Sequence, residues 1–239
     1  MFDIVTFCSE GYDKAINFSV PSWLTESGCG KIVIYSDGKV GKDWKNVDKI
    51  EFREEFEPVD HWHTWALRKP TVLKWYLDTA KEGQKFCLMD LDCFAVNGSW
   101  VPAFQEGWLG AIRWDKTIED ASSKKAAAVF FGTKCKQMDM FADYWIELTQ
   151  QFNIRILHLK GTQGTEQIAY QFSLKHISKD VNGIYPLNEN IWSNERDNLD
   201  EWKAIVHKYR DKVKILHFKG GRWKDYSLYT EIRGLVNGI

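Results

Sequence analysis

The sequence predicts an α/β fold of Rossmann type, a central sheet flanked by helices, in one compact unit. Three observations predict it. Short β-branched and aromatic runs alternate with helical stretches from the first residues onward. One apolar run ends directly in two acids, Asp90-Leu91-Asp92. The chain's 239 residues are 44% hydrophobic and 15% aromatic with five prolines, enough to bury a sizeable core.

Ile4 to Cys8 reads as the first strand, and Ile32 to Tyr35 as the second. Between them lies an amphipathic stretch closed by Gly28, in which Pro21 should bend the helix or end it early. A looser third strand is expected at Val47 to Phe52. Trp65 to Lys81 places Leu67, Val72, Leu73, Trp75, Tyr76 and Leu77 at helical spacing, with Pro70 at a first turn or kink and Gly83 as the stop. Phe86 to Met89 is then a buried strand. In such alternating folds ligands gather at the carboxyl ends of the strands. The second half offers strand-like runs at Trp108 to Ile112 and Ala126 to Gly132, and helical patterns at Met138 to Gln151 and Thr165 to Leu174. Trp202 to Tyr209 reads as helix and Val213 to Phe218 as a last strand stopped by Gly220-Gly221.

Lys and Arg number 32 against 33 Asp and Glu, without a long block of either sign, which argues against a surface for nucleic acid or anionic lipid. The five cysteines are odd in number and form no Cys-x-x-Cys pair, so a disulfide framework is not expected. No signal peptide is read at the N-terminus, and no run approaches the roughly 20 apolar residues of a membrane span. A soluble, cytoplasmic protein in a reducing compartment is the expectation.

Two carboxylates one residue apart raise each other's pKa unless a cation intervenes, and a hard dication such as Mn²⁺ or Mg²⁺ is the natural remedy. Asp90 and Asp92 are therefore candidate ligands, although a strand end turning into a solvated loop gives the same triplet. His217, at the end of the last strand, is a candidate third ligand if two strand ends converge; alone it is an ordinary core or surface imidazole. Gly220 and Gly221 would let backbone approach a phosphate, with Lys219, Arg222 or Lys224 supplying positive charge. His61 and His63 share one face of a strand, but no third zinc ligand stands near them. Most of the twelve tryptophans are expected in the core, with Trp114 or Trp223 lining a cleft.

The ordered set VTFCSEGY, FCLMDLD, AAAVFFG, GTEQIAY and HFKG resembles the nucleotide-sugar-dependent glycosyltransferases of the GT-A fold, in the family that includes glycogenin and the lipopolysaccharide galactosyltransferases. The resemblance implies a single GT-A-like domain over 1–239, with a mixed central sheet. Residues 1–92 would form the nucleotide-binding half, and 93–239 the acceptor half with the C-terminal metal-ligand strand. It implies Mn²⁺ or Mg²⁺ on Asp90, Asp92 and His217, bridging to a nucleoside-diphosphate sugar, UDP by default. Thr6, Ser9 and Tyr12 would lie by base and ribose, Asp37 and Leu91 beside the nucleoside, and Arg68 or Lys69 facing the donor. Lys219, Gly220 and Lys224 would meet the diphosphate. The acceptor would be a glycan or another hydroxyl compound. The chain departs from the family at Ala126-Ala127-Ala128, where Asn-Ala-Gly is usual, and at Arg222-Trp223-Lys224, where Lys-Pro-Trp is expected.

In glycosyl transfer, negative charge grows on the departing diphosphate, and a metal and nearby cations stabilise it. Glu166 and Gln167 are candidates for the group facing the sugar, with Asp115 as a rival base. Glu166 also fits a plain first-turn acid capped by Thr165. Two other classes compete. DLDCF resembles the Asp-x-Asp loop of haloacid-dehalogenase-like phosphatases, although that motif normally ends the first strand. A non-catalytic nucleotide-sugar or glycan-binding module would keep the same cleft without turnover.

Overall fold

The computed structural model describes residues 1–8, 13–36, 44, 47–54, 62–112, 128–156, 165–178, 182–192, 199–209, 212–218 and 226–237. Among them the strands are β1 (Phe2–Cys8), β2 (Lys31–Ser36), β3 (Ile50–Glu54), β4 (Lys85–Met89), β5 (Cys93–Ala95), β6 (Leu109–Ile112), β7 (Val129–Thr133), β8 (Ile184–Leu187) and β9 (Ile215–His217). The helices are α1 (Asp13–Glu26), α2 (Trp62–Thr79), α3 (Lys136–Ile156), α4 (Thr165–Ile177), α5 (Glu189–Trp192), α6 (Leu199–Tyr209) and α7 (Tyr226–Asn237).

Seven strands form one sheet in the order β3-β2-β1-β4-β7-β6-β8, and β5 pairs with β9 in a separate ribbon. β3, β2, β1 and β4 run parallel, and β7 lies antiparallel to both β4 and β6. The sheet is therefore mixed, and the α/β architecture expected from the sequence is borne out. Strand order reverses between β1 and β4, which is where open α/β sheets form their ligand crevice.

Alternation along each strand sends successive side chains to opposite faces, so the sheet has two cores. Ile4, Ile32, Ile34, Cys87 and Met89 pack with Ile16, Val20 and Trp23 of α1 and with Trp202 and Ile232 from the C-terminal helices. Val5, Val33, Phe86 and Leu88 pack on the other face with Val72, Leu73 and Leu77 of α2, Phe141 and Trp145 of α3, and Tyr170 of α4. Phe130 is the centre of the second cluster, with the rings of Phe86, Phe141, Trp145 and Tyr170 all within 6.2 Å of it.

Pro21 does not end α1, which continues to Glu26. The ring removes one helical N–H, but buried packing of Val20 and Trp23 on either side holds the turn in place. Likewise Pro70 lies inside α2 rather than in its first turn. β3 begins at Ile50, three residues later than expected, after Lys49 takes a left-handed φ of 66°. β5, β8, α5 and α7 have no counterpart in the sequence reading. β8 holds Pro186 at the sheet edge, where a missing N–H costs no ladder bond. The five cysteines are free thiols, with Cys8, Cys29, Cys87 and Cys93 buried. Among the described residues no helix is long and apolar enough to cross a membrane.

Candidate active site

The acidic turn sits at the carboxyl end of β4, beside β1. Three backbone bonds fix it. Asp90 N–H donates to Ala128 O at 2.9 Å, which extends the β4–β7 ladder by one residue; Cys93 N–H donates to Asp90 O at 3.2 Å; and Phe218 N–H donates to Asp92 O at 2.8 Å. The Thr6 hydroxyl donates to Met89 O at 2.8 Å, tying β1 to the residue before the acids.

The last of these backbone bonds belongs to the β5–β9 ribbon, in which Cys93 faces His217 across an antiparallel pair. The ribbon has side-chain partners on its other edge. Trp23 Nε1–H donates to Cys93 O at 2.8 Å and Ala95 N–H donates to Ser22 Oγ at 3.0 Å, so α1 holds β5 from the side opposite β9. Phe218 is wedged between Phe94 at 5.1 Å and a stacked Trp202 at 5.5 Å. Packing on both sides thus sets where the His217 imidazole lies.

His217 Nε2 lies 3.4 Å from Asp92 Oδ1, and both side chains are almost fully enclosed, 5% and 11% exposed. Asp92 Oδ1 is buried with no hydrogen-bond donor among the described residues. A buried carboxylate oxygen in that condition is expensive, and 3.4 Å is too long for a good hydrogen bond. The ligand-type atoms of Asp92, Cys93 and His217 all lie within 4.8 Å of one another. Burial pushes the Cys93 thiol well above its usual range, with the two aspartate charges adding to the effect. A carboxylate and an imidazole are donors that Mn²⁺ accepts, and the carboxylate suits Mg²⁺ as well. On this chemistry the residues fit a hard dication.

Asp90 is placed differently from Asp92. Its Oδ1 lies 2.5 Å from Lys69 Nζ; the Lys69 side chain is 6% exposed and that of Asp90 24%. Burial raises the Asp90 carboxyl above its usual pKa, opposed by the charges of Lys69 and His217 and reinforced by that of Asp92. Lys69 is thus ion-paired to the acidic turn. Arg68 is also buried, at 4% exposure.

Two expected nucleotide contacts look different in the structure. Thr6 has no exposed surface, and its hydroxyl is committed to Met89 O. Leu91 turns into the core on the α1 side of the sheet. Gln167 is half-buried on the first turns of α4, and of Glu166 only the backbone is described, in the first turn of that helix. Ser9, Tyr12, Asp37, Asp115, Lys219, Gly220 and Lys224 lie outside the described residues, as do Trp114, Trp223, His61 and the His63 side chain. Trp23, Trp100, Trp108, Trp145, Trp192 and Trp202 are buried in the core. Sequence reasoning missed Cys93 and Trp23 as parts of the site's frame. Cys93 reads as one more apolar residue after the acids, and only its pairing with His217 reveals its place.

A mixed sheet in this order, with an acidic turn at the switch point and a C-terminal ribbon returning to it, is a GT-A-like fold. Solved structures that share it include the galactosyltransferase LgtC in complex with donor and acceptor sugar analogs, and an active-site glutamine-to-glutamate variant of LgtC. The first superposes with a TM-score of 0.58 at 13% identity, covering 100% of this chain and 96% of the other. The second gives 0.57 at 14% identity, with 96% of each chain covered. No family model matches the sequence, and no curated protein matches it.

Proposed function

We propose that the protein is a metal-dependent glycosyltransferase that moves a sugar from a nucleoside-diphosphate sugar to a hydroxyl of a glycan or other acceptor. The observation that carries the reading is the buried, donorless Asp92 Oδ1 facing His217 Nε2 at 3.4 Å, at the carboxyl end of β4. The fold shared with LgtC over the whole chain supports it. The position of the acids after the fourth strand weighs against the phosphatase alternative, whose aspartates follow the first.

In this reading Asp92 and His217 hold Mn²⁺ or Mg²⁺, with Asp90 as the third ligand. When bound, the ion supplies Lewis-acid stabilisation to the departing diphosphate. Lys69 keeps a positive charge in the cleft. Lys219, Gly220 and Lys224, following His217 in the chain, are proposed to meet the phosphates through ammonium groups and close backbone approach. Ser9, Tyr12 and Asp37, in the segments after β1 and β2, are proposed to take the nucleoside, with uridine the first base to try on the sequence resemblance. Glu166 and Gln167 at the start of α4 are proposed to face the transferred sugar, with Asp115 as the alternative base. The chain is read as one catalytic domain.

The test is a thermal-shift panel of UDP, GDP and ADP and their sugars, with and without Mn²⁺, on the wild type and Asp92→Asn. One nucleotide series should raise the melting temperature only with metal, and Asp92→Asn should abolish the rise. Equal shifts with and without metal would remove the carboxylate from its role. Binding without sugar transfer or donor hydrolysis across many acceptors would reduce the protein to a binding module. Metal-dependent hydrolysis of simple phosphomonoesters would replace the reading by a phosphatase.

A further inference from the structure

The two aspartates are not equivalent. The ligand-type atoms of Asp92 and His217 face one another, whereas Asp90 is joined to a lysine. With Lys69 neutralising Asp90, a dication arriving alone finds one carboxylate and one imidazole. Affinity in oxygen-rich sites follows the number of charged ligands, so such a set holds a dication weakly. Recruiting Asp90 would leave the Lys69 ammonium, 6% exposed, without its carboxylate, which is costly for an enclosed cation. An incoming anion removes that cost by taking over the ammonium as Asp90 turns to the metal.

Resting on the reading of Asp92 and His217 as metal ligands, we propose that Lys69 is a resident cation that occupies Asp90 until metal and nucleoside diphosphate arrive together. The site then takes the two ligands cooperatively and either one alone poorly. No bond is made or broken in the exchange: one ion pair, Lys69 with Asp90, is replaced by two, dication with Asp90 and ammonium with phosphate. Since coupling between two ligands is reciprocal, the nucleotide must also bind more tightly with metal, by the same factor.

Calorimetric titration of Mn²⁺, with and without whichever of UDP, GDP or ADP shifts melting most, tests this on the wild type, Lys69→Met, Asp90→Asn and Asp92→Asn. The wild type should bind Mn²⁺ about tenfold or more tightly once nucleotide is present, within the usual range of coupling. Lys69→Met should bind Mn²⁺ alone about tenfold more tightly than the wild type, through the freed carboxylate, and should lose most of the coupling. Asp90→Asn, which keeps the shape of the turn, should weaken nucleotide-free Mn²⁺ binding by less than about threefold, because Asp90 contributes little in that state. The proposal is overturned if Lys69→Met shows no gain, or if Asp90→Asn loses nucleotide-free binding as completely as Asp92→Asn. Should Lys69→Met not fold, the Asp90→Asn titration decides alone. Unchanged Mn²⁺ binding in Asp92→Asn would instead strike the metal-site reading itself, a distinct failure.

Discussion

Asp3 lies near the start of β1, at the end of the strand away from the acidic turn, and is 8% exposed. Tyr76 Oη–H donates to its Oδ2 at 2.9 Å. Burial raises the Asp3 carboxyl pKa; the Tyr76 hydrogen bond and the charges of Lys31 and Arg53 oppose this, and Glu51 adds to it. A carboxyl whose pKa is higher folded than unfolded binds protons on folding. Its contribution to stability is thus fully present below the unfolded value of about 3.9 and is lost as pH rises through the raised folded value. Asp3→Asn should therefore unfold at a higher urea concentration than the wild type at pH 7, and the difference should vanish near pH 4. A difference independent of pH would show that the Asp3 charge plays no part.

The same scale shows what the sequence could and could not reveal of the site. Asp90, Asp92 and His217 stood out in the sequence because each lies at the end of an apolar run, and the structure brings Asp92 and His217 within 3.4 Å of one another. The ion pair of Lys69 with Asp90 was not legible, because adjacent residues on a helix point about 100° apart and only the docking of α2 on the sheet brings one toward β4. Leu91, named among the donor-site residues, has its side chain in the core on the α1 side of the sheet.

Among elements, the β5–β9 ribbon positions Asp92 and His217 and was only half visible in sequence. β9 lies inside the strand read at Val213 to Phe218, whereas β5 has three residues, too few for any alternation to register, and its pairing is non-local. The longer strands β1, β2 and β4 were read close to their observed bounds because buried parallel strands are continuous apolar runs. Prolines misled in α1 and α2, since tertiary packing outweighed the local penalty. The ribbon's dependence on α1 gives a further expectation. Trp23→Phe removes the indole N–H from Cys93 O and leaves a buried acceptor unsatisfied, so stability should fall by about 2 kcal/mol or more in denaturant unfolding. A loss below about 0.5 kcal/mol would show that β5 needs no such anchor.

For the whole molecule, Asp92 and His217 are brought together only by folding, so anything binding both stabilises the native chain by mass action. At a hundred times its dissociation constant, a ligand adds about 2.7 kcal/mol. For a chain of this size that corresponds to a rise in melting temperature of about 5–11 °C. The metal-nucleotide pair should produce a shift of this order, and His217→Ala, which cuts the C-terminal ligand, should lose most of it. A full shift in that variant would mean that the ribbon does not take part in binding.

Because His217 belongs to β9 and Asp92 precedes β5, synthesis on the ribosome delivers the imidazole roughly ten seconds after the carboxylate. Until then the acidic turn has no imidazole to complete it, while Lys69 and Asp90 are already present and can neutralise each other. On the proposed reading, a nascent chain cannot complete its dication site before β9 has emerged and docked.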